Sequence, residues 1–212
     1  MTDIFVFGDS ISNGSWADPG WADRIKNDLV QNHISNSAYL DTLINISAGG
    51  KNSSHILKFI QPVLQAHTDE HVDSIVIFAV GINDAARIDG KEGNWVNKNE
   101  SISNMKKMIE HAKQTTQHVL ILDVTPVDES KTNPCSFAPD VSYKNSDILE
   151  YSKLLRTIAK ETNCIFIPLF DEWKSREYTN YLDDGLHPNR EGHRRIYEKV
   201  KAAISPLLNS KG

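Results

Sequence analysis

Ser74-Ile75-Val76-Ile77-Phe78-Ala79-Val80 is apolar at nearly every position. Successive side chains of a strand point to opposite faces, so a strand with one wet face alternates polar and apolar residues. This run does not alternate. It reads as a strand covered on both faces, the kind that belongs to parallel sheets flanked by helices. Working outward, four more short runs rich in Val, Ile, Leu or Phe appear: Asp3 to Phe7, a weaker one around Tyr39 to Ile46, Val119 to Val124, and Cys164 to Leu169. Helical spacing fills the gaps. Trp21, Ile25, Leu29 and Val30 recur at that spacing, as do Ile56, Phe59, Ile60, Val63 and Leu64, where Pro62 must kink the helix or fall in its first turn. Ile102, Met105, Met108, Ile109 and Ala112 make a third face, Ile148, Tyr151, Leu154, Leu155 and Ile158 a fourth, and Ile196, Val200, Ile204 and Leu207 the last. Strand and helix alternating in this way predict a doubly wound, three-layer α/β domain.

The chain has 212 residues, which suits one domain spanning 1–212. Hydrophobic residues make up 39% and charged residues 24%, so disorder is not the main state. The net charge of −5 argues against nucleic acid, whose binding relies on clustered Lys and Arg. No apolar run approaches the ~20 residues that a membrane helix needs. Cys135 and Cys164 form no Cys-x-x-Cys pair and read as free thiols of a reducing compartment. Ile4 to Gly8 is too short for a signal peptide and lacks its basic flank, so a cytoplasmic location is expected.

Chemistry concentrates after the strands. Gly8-Asp9-Ser10-Ile11-Ser12-Asn13-Gly14 follows the first, Asn45-Ile46-Ser47-Ala48-Gly49-Gly50 the second, and Gly81-Ile82-Asn83-Asp84 the third. Beyond the fifth, before the last helix, stands Asp183-Asp184-Gly185-Leu186-His187-Pro188. Open α/β sheets bind ligands outside the carboxyl ends of their strands, so four distant segments should converge on one crevice. Ser10 is a nucleophile candidate that needs a base. Histidine titrates near neutrality and His187 can supply that base. Asp184, three residues earlier, can accept the Nδ1–H while Nε2 points at Ser10. Asp183 lacks that spacing. A tetrahedral intermediate needs oxyanion donors, and the Ser10 N–H, the Gly50 N–H and the Asn83 amide are candidates.

These blocks, Gly8-Asp9-Ser10, Gly50 in Asn-x-x-x-x-Gly, Gly81-x-Asn83-Asp84 and Asp184-x-x-His187, together resemble the GDSL, or SGNH, hydrolases in order and approximate spacing. The resemblance implies a flavodoxin-like three-layer α/β/α sandwich with a five-stranded parallel sheet. It implies a serine esterase or acylhydrolase with Ser10, Asp184 and His187 as triad and Ser10, Gly50 and Asn83 as oxyanion hole, and no metal or organic cofactor. Ile11 stands where the family often has leucine, and Gly49 is an alternative to Gly50. The Gly-x-Ser-x-Gly elbow of ordinary α/β-hydrolases is absent.

Other readings compete. Ser10 could merely cap a helix, and Asn83-Asp84 could be turn residues. Trp16 and Trp95 are candidate walls of a substrate pocket, whereas Trp21 and Trp173 read as packing residues. His193, beside Glu191, Arg194 and Arg195, reads as facing water, and its spacing to Asp184 and His187 matches no common zinc signature. The remaining histidines read as surface residues. Two longer segments, 85–100 and 126–146, should lie above the sheet, the second covering the site or pairing with a neighbouring subunit in a homo-oligomer. The expected partner is a small ester with a short acyl or O-acetyl group, because a small domain has little material for a long acyl tunnel. A lysophospholipase or thioesterase would use the same chemistry. A non-catalytic carbohydrate- or acyl-binding module, or a nucleotide-binding flavodoxin-like protein, would not, although the chain lacks Gly-x-Gly-x-x-Gly and a phosphate-loop lysine.

Overall fold

The structure is a computed structural model that describes residues 1–15, 17–36, 41–68, 71–116 and 118–208. Five parallel strands form its sheet: β1 (Thr2–Gly8), β2 (Thr42–Asn45), β3 (Asp73–Ala79), β5 (His118–Leu122) and β7 (Ile165–Ile167). Their order is β2-β1-β3-β5-β7, the flavodoxin-like arrangement. Two further strands, β4 (Arg87–Ile88) and β6 (Val141–Ser142), pair antiparallel as a small separate ribbon.

The run around Val76 is the central strand. Ile75, Val76, Ile77 and Phe78 are fully buried between β1 and β5, as the lack of alternation requires. The second strand is shorter than its sequence run, and Tyr39 and Leu40, which began that run, lie outside the described residues. The long helices are α2 (Trp21–Asn36), α5 (Lys98–Lys113), α7 (Asn145–Glu161) and α9 (Arg190–Leu208). The helical pattern around Pro62 divides into α3 (Ser53–Ile56) and α4 (Ile60–His67). Pro62 is the third residue of α4, so its missing N–H falls in the first turn, where no intrahelical partner exists. Helix α2 packs beside α9, while α5 packs beside both α4 and α7, giving the two outer layers. Among the described residues no helix is long and apolar enough to cross a membrane.

Like α3, the short helices α1 (Ser10–Asn13), α6 (Glu129–Thr132) and α8 (Phe170–Lys174) decorate the carboxyl end. The strand order reverses between β1 and β3, and α1 begins directly beyond β1 at that switch point.

Candidate active site

Ser10 is the first residue of α1, and the N-cap is Asp9, whose carboxylate accepts the Ile11 N–H at 2.9 Å. The capping role open to Ser10 therefore belongs to its neighbour, and the Ser10 hydroxyl is left for another partner. Gly8 lets this turn form. A Cβ there would stand 2.7 Å from Ser12 Cβ and 2.9 Å from the Ala79 carbonyl, so only glycine fits between β3 and α1. Asn13 and Asn45 fasten α1 to the loop after β2: Asn45 Nδ2 donates to the Ser12 carbonyl at 2.8 Å, and Asn13 Nδ2 to the Ser47 carbonyl at 3.0 Å.

Ser10 Oγ and His187 Nε2 lie 2.8 Å apart across 177 residues of sequence. His187 Nδ1 lies 2.7 Å from Asp184 Oδ2. The other carboxylate oxygen accepts the Leu186 N–H at 3.0 Å and the His187 N–H at 2.8 Å. The turn thus holds the acid against its own histidine. Burial alone would raise the Asp184 pKa, but these hydrogen bonds and the charge of His187 outweigh it and hold the group at about 2. Gly185 has φ of 94° and sits against Lys131 and the Asp128 carbonyl, with the Asp128 N–H donating to the Gly185 carbonyl at 2.8 Å. The 126–146 segment therefore braces the histidine turn of its own chain. Phe137 of that segment stands with its ring centroid 5.7 Å from that of His187, and it is largely exposed.

Asn83 is buried after β3. Its Nδ2 donates to the Lys51 carbonyl at 2.9 Å, which brings the Gly49-Gly50 turn beside it. Gly50 has φ of 67°, and a Cβ at either glycine would meet nothing within 4 Å, so the turn faces open space. Asp84 ties the same loops together, accepting the Ser53 N–H at 2.7 Å and the Ser101 hydroxyl at 2.5 Å. Its pKa is raised by burial against those two bonds. Beyond its turn position, Asp84 thus anchors the start of α3.

The remaining expectations fare differently. Trp95 is half-buried and meets the His55 ring edge-on at 6.0 Å, beside the Asn83 loop. Trp16 lies outside the described residues. Trp21 and Trp173 are buried as packing residues. The expectation that His193 faces water is corrected: it is fully buried, and its Nδ1 accepts the Trp21 N–H at 3.2 Å. Burial, with Arg24 and His187 nearby, lowers its pKa to about 4, so it stays neutral as a bracket between α9 and α2. Cys135 and Cys164 are both free thiols. Phe137 was not foreseen, because a lone aromatic in a proline-rich segment has no periodicity to mark its neighbours.

Beneath α1 is a cavity of about 20 Å³ lined by Asp9, Ser12, Val80, Asp123 and Thr125, room for one water molecule. Asp9 is buried there, and loss of hydration raises its pKa to about 7, against the Ile11 hydrogen bond and the charge of His187, with Asp84 adding to the rise. A carboxyl that holds its proton more firmly when folded stabilises fully below its unfolded value, about 3.8, and that contribution is lost as pH climbs to about 7. Asp9→Asn keeps an acceptor for Ile11 but removes the charge. Its melting temperature is expected to exceed that of the unaltered protein at pH 8 by more than it does at pH 5. An equal difference at the two pH values would refute the assignment.

The profile of the GDSL-like lipase/acylhydrolase family matches residues 6–195. The human isoamyl acetate-hydrolyzing esterase 1 homolog is 21% identical over 98% of this chain and 83% of its own length. The GDSL esterase/lipase WDL1 of Oryza sativa subsp. japonica is 22% identical over 93% and 75%. Among solved structures, a lipase/acylhydrolase from Enterococcus faecalis superposes with a TM-score of 0.74 at 20% identity, covering 100% of both chains. The acetyl xylan esterase AlAXEase gives 0.73 at 20% identity, covering 95% of this chain and 99% of its own. These superpositions bear on the fold, which is that of a three-layer α/β sandwich.

Proposed function

The chain belongs to the GDSL-like lipase/acylhydrolase family of carboxylic ester hydrolases, and from that premise we propose that Ser10, His187 and Asp184 are its catalytic triad. The observation that carries the reading is the unbroken sequence of contacts from Ser10 Oγ to His187 Nε2 at 2.8 Å and from His187 Nδ1 to Asp184 at 2.7 Å. Ser10 Oγ attacks the ester carbonyl while His187 takes its proton. Asp184, ionised, keeps the Nδ1–H tautomer and stabilises the imidazolium. The oxyanion is received by the N–H groups of Ser10 and Gly50 and by the Asn83 side-chain amide. Collapse expels the alcohol, protonated by His187, and leaves an acyl-enzyme. Water, activated by the same imidazole, then releases the acid.

The substrate is an ester of a short acyl group, such as an acetate. The names of its relatives support this. Relatives by sequence and by fold include proteins named for isoamyl acetate and for acetyl xylan. Phe137, exposed beside His187, and Trp95, beyond Asn83, offer apolar surface to the rest of the substrate.

The test combines a probe and a panel. A fluorophosphonate should label Ser10 irreversibly, because only an activated serine reacts. Among p-nitrophenyl esters from acetate to dodecanoate, kcat/KM should be greatest for the shortest chains. Failure to label would favour a non-catalytic binding module. Activity rising steadily with chain length would overturn the short-acyl reading while leaving the triad intact.

A further inference from the structure

Tyr143 is a buried residue of the 126–146 segment, just beyond β6, and its hydroxyl donates to Asn83 Oδ1 at 2.7 Å. An asparagine side chain has one oxygen that accepts and one nitrogen with two hydrogens to donate. In Asn83 the oxygen is taken by Tyr143, and one Nδ2 hydrogen is taken by the Lys51 carbonyl at 2.9 Å. One N–H is left. We infer that Tyr143 is a positioning residue for ester hydrolysis, holding the Asn83 amide so that this remaining N–H serves the oxyanion. The inference rests on the reading of Asn83 as an oxyanion donor.

The orientation follows from both ends. Turning the amide over would set its oxygen against the Lys51 carbonyl, two acceptors face to face. Tyr143 fixes the opposite end. A donor on the amide oxygen also polarises the amide and strengthens what its N–H can donate, since hydrogen bonds in series reinforce one another in a low-dielectric site. Burial raises the phenol pKa, first through loss of hydration and then through nearby acidic groups, so the hydroxyl keeps the proton it donates. Tyr143 is itself held. Its N–H donates to the Thr132 carbonyl at 2.8 Å, in the short helix α6, whose N-cap Asp128 hooks the Gly185 carbonyl. One segment thus sets the oxyanion donor on one side of Ser10 and the histidine turn on the other.

Tyr143→Phe removes the hydroxyl and keeps the ring. Removing an oxyanion donor outright typically lowers kcat by about 10²- to 10³-fold. Tyr143→Phe should lower kcat toward p-nitrophenyl acetate by about tenfold or more, short of that limit, with KM changed less than about twofold, because acylation and deacylation each form an oxyanion that the same donors receive. In an Asn83→Ala background the same substitution should change kcat by less than about twofold, since its only route of action is gone. Losses that multiply in the double variant, or a Tyr143→Phe enzyme as fast as the unaltered one beside an impaired Asn83→Ala, would overturn the inference and leave the oxyanion reading standing. An unimpaired Asn83→Ala would overturn both.

A measurement on the unaltered protein covers the case in which Tyr143→Phe does not fold. The Tyr143 hydroxyl proton should give a slowly exchanging NMR resonance that moves when a fluorophosphonate occupies Ser10. A resonance that is absent, or unmoved by the adduct, would overturn the inference.

Discussion

Ser10→Ala and His187→Ala are each expected to reduce kcat on p-nitrophenyl acetate by about 10⁴- to 10⁶-fold, and the double variant is expected to be no slower than the worse single one. The reason is that the two side chains act as one device. With Ser10 Oγ 2.8 Å from His187 Nε2, the hydroxyl becomes a nucleophile only as the imidazole takes its proton, and the imidazole has nothing to deprotonate once the hydroxyl is gone. What survives in either variant is stabilisation by the oxyanion donors and by binding, which neither substitution touches. Both side chains are buried, Ser10 at 8% exposure and His187 at 4%, so melting curves must accompany the rates to separate lost chemistry from lost structure. The outcome that contradicts the triad is additivity: a double variant slower than each single by the product of their separate losses would mean two independent contributions. So would a folded Ser10→Ala protein that hydrolyses the ester at the original rate.

Sequence could single out Ser10, Asp184 and His187 as candidates that the fold brings together because they sit where local rules are strong. Ser10 follows a strand at a switch point of the sheet, and Asp184 and His187 share one turn, so each needed only its own neighbourhood and the fold class to be placed. The same holds for β3, whose unbroken apolarity states that both faces are covered. The long helices follow from their periodicity, and Pro62 sits in the first turn of α4, one of the two places the chain allowed it. Legibility fails where a contact crosses the chain without periodicity to announce it. Tyr143 and Asn83 are separated by 60 residues, and nothing in a proline-rich stretch shows that a tyrosine will reach an asparagine after β3. The ribbon of β4 and β6 escaped for a related reason, since two residues per strand carry no alternation. His193 is a different case. Its charged neighbours suggested a wet face, yet it precedes Ile196 by three residues, on the same stripe as Val200 and Ile204, all buried. Helical spacing already placed it inside, and the local charge masked that signal.

Asp184→Asn should lower kcat by about 10⁴-fold while the protein stays folded, and it should do at least as much harm as Asp184→Ala. Asparagine is nearly isosteric, and its oxygen can still accept the N–H groups of Leu186 and His187 that now bind Asp184 Oδ1 at 3.0 and 2.8 Å. The turn therefore survives. The change falls on the second oxygen, 2.7 Å from His187 Nδ1, which becomes an NH₂ group. A donor there requires Nδ1 to accept, which moves the imidazole proton to Nε2, and an Nε2 that carries a proton cannot take one from Ser10. Alanine merely fails to choose between tautomers, whereas asparagine chooses the wrong one. The pH dependence follows from the same group. Asp184 is held at about 2 when folded and titrates near 3.8 when unfolded, so the stability it contributes is complete above the unfolded value and disappears as pH falls toward about 2. The unaltered protein should lose melting temperature more steeply than Asp184→Asn over that interval, and Asp184 should add no acid limb to the rate at neutral pH. Steady-state rates for both variants, with melting curves from neutral pH down to pH 2, test each part. An Asp184→Asn enzyme within tenfold of the original rate would show that the carboxylate does not fix the tautomer, and the base would then need another partner for its Nδ1.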